Sequence, residues 1–140
     1  MNSAKNKILV TGGAGNVGSA LVEKLISDPD NFVVVVDNLS TGFLTKLPSS
    51  SFTNWKFIKA DVNDTNDISS VMLSHNFDYV FHFAAVVGVT RTQEHPIDVL
   101  NDIEGIKNVL DLSKNSSVKH VFFASSSEVY GEPVELPQHE

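Results

Sequence analysis

Four glycines within seven residues, set between a run of β-formers and an amphipathic segment, constrain this chain more than anything else in it. The stretch is Lys7 to Gly18, KILVTGGAGNVG. Ile8, Leu9 and Val10 are too few for a helix and are bounded by Gly12 and Gly13, so they predict a short buried parallel strand. From Asn16 onward, Val17, Ala20, Leu21, Val22 and Leu25 recur at helical spacing, with Glu23 and Lys24 on the other face. The glycines therefore fall where strand becomes helix. There the first helical amides lack partners, the helix dipole is positive, and only residues without a side chain let a phosphate reach the backbone. A pyrophosphate suits such a junction. The glycines fit two registers, Gly13-x-Gly15-x-x-Gly18 and Gly12-x-x-Gly15-x-x-Gly18. Alone, a turn that needs positive φ uses the same residues.

The next run supplies the context. Phe32 to Val36, FVVVV, closes on Asp37, 37 − 18 = 19 positions after Gly18. An acid ending the second strand of a βαβ unit, about 20 residues beyond the glycine loop, is placed to accept hydrogen bonds from the adenosine ribose of a dinucleotide. The same charge repels a 2′-phosphate. Asn38 follows it, and the only arginine, Arg91, is distant in sequence, so the cofactor expected is NAD rather than NADP.

Composition narrows the remaining classes. A chain of 140 residues with 41% hydrophobic content supports one buried core, hence one domain over residues 1–140. A net charge of −7 and a pI near 5.1 argue against nucleic acid or an anionic membrane as partner. Cysteine is absent, so neither a disulfide framework nor a thiolate metal site is expected. The N-terminal MNSAKNK is polar, and the longest apolar stretch, Tyr79 to Val89, holds His82 and is too short to span a bilayer. A cytoplasmic protein is expected.

Further along, Asn38 to Asn54 predicts a loop with at most one helical turn, and Trp55 to Ala60 a third strand. Asp61 to Asp67 offers several helix N-caps, before a short helix with Ile68, Val71, Met72 and Leu73 on one apolar side. Asp78 to Phe83 predicts a fourth strand, followed by the small residues Ala84 and Ala85. His82 inside that strand reads as a core side chain. Val89 to Pro96 predicts a loop carrying Arg91, whose guanidinium can meet a phosphate in bidentate fashion but is more commonly an exposed loop residue. Residues 97–115 predict one long helix, whose Val99, Leu100, Ile103, Ile106, Val109, Leu110 and Leu112 make an apolar stripe wider than a single core face needs. Lys119 to Ala124 predicts a fifth strand, with Ser125 to Gly131 leaving its carboxyl end, where chemistry collects in open α/β sheets.

TGGAGNVGS, VVVDNLSTG, KADVND, HFAA and SSSEVYG, in this order, resemble the extended short-chain dehydrogenases, the NAD-dependent nucleotide-sugar epimerases and dehydratases. The likeness runs from about Lys7 to Gly131. It implies an α/β fold, a doubly wound parallel sheet of the Rossmann kind with about five strands in order 3-2-1-4-5, incomplete relative to the family. It selects the register Gly12, Gly15, Gly18, with Asn16 and Val17 beside the cofactor. By the same resemblance Asn38, Ser40, Thr41 and Gly42 line the adenosine end, although Ser-Thr-Gly also makes an ordinary turn. Asp61 meets the adenine amine and Val62 packs on its ring, while Phe83, Ala84, Ala85 and Val87 run along the ribose and nicotinamide. Ser126 matches the catalytic Ser or Thr that hydrogen-bonds the sugar hydroxyl, and Glu128 falls where sugar dehydratases and UDP-glucuronate decarboxylases carry a functional glutamate.

The resemblance also marks departures. The family's Asn-Val-x-Gly-Thr is here Asp102-Ile103-Glu104-Gly105-Ile106, replacing an amide by a carboxylate that cannot donate when ionised. Ser127 precedes Glu128, so the Asp-Glu pair of the dehydratases is missing. The family's Tyr-x-x-x-Lys, in which a lysine lowers the pKa of the proton-removing tyrosine, does not occur before Glu140. The expectation is the NAD-binding half of an enzyme acting on a UDP- or dTDP-sugar, inactive alone, homodimeric through the helix at 97–115. The alternative is a stand-alone NAD-binding module with a regulatory or assembly role.

Overall fold

The computed structural model describes residues 6–49 and 51–132. The polar N-terminus and the chain beyond Glu132 lie outside the described residues. Five strands, β1 (Asn6–Thr11), β2 (Asn31–Asp37), β3 (Trp55–Lys59), β4 (Tyr79–His82) and β5 (His120–Phe123), form one parallel sheet in the order β3-β2-β1-β4-β5. The helices are α1 (Asn16–Ile26), α2 (Thr65–Ser74), α3 (Val89–Glu94), α4 (Pro96–Asn101) and α5 (Ile103–Lys114), with 3-10 turns at Leu44–Lys46 and Ser127–Tyr130. This is the doubly wound order expected from the sequence.

Burial on both faces explains why the central strands are continuous apolar runs rather than alternating ones. On one face Leu9, Val34, Val36 and Val80 pack with Ile68, Val71 and Met72 of α2 and Val109 of α5. On the other, Ile8, Val10, Val33 and Val35 pack with Val22 and Ile26 of α1. Leu9 pairs with Val34 on one side and Val80 on the other, so β1 is the centre of the ladder. Each such side chain, removed from water completely, contributes about 1.5–3 kcal/mol. All five carboxyl ends point the same way, and the loops that leave them form the rim described below.

Four expectations are corrected. The buried stripe of α1 is Gly18, Val22 and Ile26, spaced four apart, while Val17 and Ala20 are exposed. Leu73 faces solvent from α2. Residues 89–94, read as loop, form α3.

The long helix at 97–115 is two helices that meet at Asp102. The cause is local competition for donors. The Gly105 amide goes to the Asn63 side chain at 2.8 Å and to the carbonyl of Asp102 at 3.2 Å, three residues back instead of four. The apolar stripe divides accordingly: Gly105 and Val109 are buried, and Ile97, Leu100, Ile103 and Leu110 are exposed.

β5 is one edge of the sheet among the described residues, with Phe122 and Phe123 exposed and Phe122 stacked on Phe81 at 4.6 Å. Among the described residues no helix is long and apolar enough to cross a membrane.

Candidate cofactor site

The glycine loop is built for close backbone approach. Gly12 follows β1 at φ +68°, and a Cβ there would stand 2.5 Å from the Ala84 amide nitrogen. Gly18 lies against the loop, where a Cβ would stand 2.3 Å from the Gly12 carbonyl oxygen. Gly13 is different. Its missing Cβ makes room for Val35 in the core, so it serves packing and leaves Gly12, Gly15 and Gly18 as the site register.

Gly15 is the N-cap of α1, and no side chain caps the helix or places an acid in its first turn. The other helices of ten residues or more differ: α5, also without a side-chain cap, carries Glu104 in its first turn, and α2 is capped. In α2 the Asp64 side chain accepts from the amides of Asn66 and Asp67. The uncapped end of α1 thus keeps its first amides and the positive end of the helix dipole directed at the rim, where an anionic phosphate would satisfy them.

A cleft of about 560 Å³ opens over that end, within the range of small-molecule sites. It is lined by Gly12, Gly15, Asn16, Val17 and Gly18 from the loop, Asp37, Asn38, Ser40 and Thr41 beyond β2, and Asp61 and Val62 beyond β3. Phe83, Ala84, Ala85 and Val87 line it beyond β4. The structure therefore brings together every cofactor position expected from the sequence except Gly42. Gly42 is buried beneath the rim, where a Cβ would press on Asp37 Oδ1 at 2.8 Å and on Ala14, so it lets the loop close over the acid.

Asp37 is nearly buried and organises this loop. Its carboxylate accepts the Ala14 amide at 2.9 Å and the Leu39 amide at 2.8 Å. The second bond fixes Leu39 in the left-handed region, φ 62°. A carboxylate has about four lone-pair sites, so acceptor capacity remains for ribose hydroxyls. Asn38 donates to Asp61 Oδ2 at 3.0 Å and accepts the Ser40 amide, linking the loops after β2 and β3 across this side of the cleft.

Among the lining residues not assigned to the site from sequence, three bear on its chemistry. Lys46, the lysine of the loop at 38–54, donates from Nζ to Asn16 Oδ1 at the first position of α1 and is the cation among the cleft's described lining residues. Its isolation in a polar loop was the available signal. Asn63 and Asp102 form a buttress: Asp102 accepts the Val86 amide at 2.7 Å and the Asn63 side-chain amide at 3.2 Å. The replacement of Asn by Asp was visible, but its partners lie 16 and 39 residues away.

The other candidates fall outside the cleft lining. Ser126 and Glu128 lie just past β5, Glu128 within the turn at Ser127–Tyr130, while the cleft is lined at this end by Ala124 and Ser125. Arg91 is on α3 and is not among the residues that line the cleft. His82 is a core side chain as read: buried, with Nδ1 2.9 Å from the Thr11 hydroxyl. Burial holds its pKa below the ordinary histidine value, with the charge of Asp102 pulling weakly the other way.

A glycine cradle, an uncapped helix end and an acid closing β2, joined in one cleft at the sheet's switch point, fit a dinucleotide. A sequence profile described as the NAD dependent epimerase/dehydratase family matches residues 8–140. The chain belongs to that family. NAD is the family's cofactor, in agreement with the acid at Asp37.

Among similar proteins, a UDP-glucose 4-epimerase of Lactobacillus helveticus is 34% identical over 132 residues, 94% of this chain and 38% of that protein. A UDP-N-acetyl-alpha-D-glucosaminuronate decarboxylase of Bacillus cytotoxicus is 37% identical over 128 residues, 91% of this chain and 38% of that one. The crystal structure of Thermus thermophilus UDP-glucose 4-epimerase in complex with NAD superposes with a TM-score of 0.83 at 31% identity, over 96% of this chain and 42% of the other. The chain thus spans about two fifths of the length of the curated relatives it matches.

Proposed function

We propose that this family member is the NAD-binding part of a nucleotide-sugar epimerase or dehydratase that works on a UDP- or dTDP-linked sugar. The observation that carries the reading is the open N-terminus of α1 behind the Gly12-Gly15-Gly18 loop, facing a cleft that also contains Asp37. The amides of Asn16 and Val17 would hold the pyrophosphate, and Asp37 would accept from the adenosine ribose while keeping its bonds to Ala14 and Leu39. Asn38, Ser40, Thr41, Asp61 and Val62 enclose the adenosine. Phe83, Ala84, Ala85 and Val87 border the nicotinamide half, with Gly42 seating the loop. Bound NAD supplies the hydride acceptor and donor for a sugar carbon.

Ser126 hydrogen-bonds the sugar hydroxyl as it becomes a carbonyl, and Glu128 serves an elimination or decarboxylation step. Of the relatives, the 4-epimerase and the decarboxylase both carry UDP-sugars in their names, which supports a UDP-linked substrate. The proton-removing Tyr-x-x-x-Lys is not among these 140 residues, so these residues alone do not turn over. The exposed Ile97, Leu100, Ile103 and Leu110 on α4 and α5 form the face of a homodimer, and the protein works in the cytoplasm.

The test is product analysis after incubating UDP-glucose, UDP-N-acetylglucosamine or UDP-glucuronate, with NAD, with the polypeptide encoded by the full reading frame. Epimerised or decarboxylated sugar nucleotide supports the reading. Its absence for every UDP- and dTDP-sugar, with NAD bound, would overturn the substrate class.

A further inference from the structure

The two halves of the cleft are charged differently from what a neutral amide at position 102 would give. Asp37 ends β2 and Asp61 follows β3, so the adenosine half of a dinucleotide lies over those strands and the other half over β4 and β5. Asp102 belongs to that second half. It lines the cleft together with Phe83, Ala84, Ala85 and Val86, and it holds the Val86 amide directly at 2.7 Å.

Both of its oxygens are occupied by neutral donors, Val86 N–H and Asn63 Nδ2, and among the described residues no lysine, arginine or histidine lies within ion-pair distance of it. His82, which feels its charge, is held toward the neutral form by burial. The negative charge on this wall is therefore not cancelled locally. It is also partly shielded from water, which keeps its field effective.

We infer that Asp102 is a specificity-determining residue that biases the site toward the oxidised dinucleotide. This rests on the NAD-binding reading above. The nicotinamide ring carries one positive charge when oxidised and none after hydride has added to it. A carboxylate facing the ring's half of the cleft attracts the first form and not the second, whereas an amide at the same place distinguishes them little. The hydrogen bond to Val86 does not depend on this charge, because an asparagine Oδ1 accepts it as well. The Asn63 contact is not kept in the same way, because the asparagine NH2 would meet the Asn63 Nδ2 donor, so ADP-ribose affinity is what separates the charge role from the scaffold role.

The experiment is calorimetric titration of the protein and of its Asp102→Asn variant with NAD⁺, NADH and ADP-ribose, the last of which lacks the ring. The expected result is a ratio of NADH to NAD⁺ dissociation constants that falls on the order of fivefold in Asp102→Asn, with ADP-ribose affinity unchanged. On the unmodified protein, raising the salt concentration narrows the same ratio. A ratio that is the same in both proteins overturns the inference while leaving NAD binding intact. So does loss of ADP-ribose affinity in the variant, which would assign Asp102 to the shape of the pocket. Failure of the unmodified protein to bind any of the three overturns the cofactor reading itself.

Discussion

Replacing Asp37 by alanine tests whether the acid is first a structural element and only then a ligand contact. In the folded chain its carboxylate satisfies two backbone amides, Ala14 and Leu39, at 2.9 and 2.8 Å. Ala14 is fully buried, so its amide would lose its only acceptor with no water to replace it, at a cost of about 1–3 kcal/mol. Leu39 is half-buried and sits at φ 62°, a conformation that costs about 1–2 kcal/mol for a side-chain-bearing residue. Once freed, it relaxes and reaches solvent, so its loss adds little. The net expectation is a destabilisation of roughly 2 kcal/mol without any cofactor, and about half of that for Asp37→Asn, which retains one acceptor. Urea unfolding followed through Trp55, the single tryptophan, at the start of β3 beside β2, reads this directly. The midpoint should fall by about 1 M for the alanine variant. Equal midpoints for the two proteins would show that the loop amides do not depend on the carboxylate, and the assignment of Asp37 as the loop's organiser would fail.

Other perturbations give distinct signatures. Gly18→Ala forces a Cβ to within 2.3 Å of the Gly12 carbonyl, so thermal melting should show a loss of about 1–3 kcal/mol and calorimetry a weakened NAD affinity. Lys46→Ala removes the cation beside Asn16 at the phosphate end. It should weaken NAD binding severalfold and flatten its salt dependence, while leaving the melting temperature nearly unchanged. The hydrogen bond from Lys119 and then the Lys7 amide hold the Asp78 carboxyl below the usual carboxylate range. A depressed folded value contributes stability above the unfolded pKa of about 3.9 that is lost as pH falls through the folded one. Asp78→Asn should therefore lower the urea midpoint at pH 7 and match the parent protein in strong acid.

What the sequence revealed, and what it hid, divides along the range of the interactions. The strand, glycine turn and helix at 7–18 and the acid at 37 are local patterns, the parallel sense follows from alternating strands and helices, and the order 3-2-1-4-5 came with the family resemblance. The apolar period through residues 97–115 continues without a break, because the interruption at Asp102 comes from side chains of Asn63 and the amide of Val86, distant in sequence. Val17 and Ala20 fit the helical spacing of α1, yet the face that packs is set by how closely Gly18 meets the loop, one position later. Lys46 gave no periodic signal at all. Its relevance comes only from the chain folding back so that the Phe43 amide bonds to the Ala14 carbonyl, beside the glycine loop.

The most direct examination of dinucleotide binding is a backbone amide NMR titration of the protein with NAD⁺. The largest shifts should fall on Gly12 to Gly18, on Asn38 to Thr41 and on Phe83 to Val87, with the amides at the start of α2, already capped by Asp64, little changed. Shifts confined to other surfaces, or none at saturating NAD⁺ in a folded sample, would contradict the assignment of this cleft as the cofactor site.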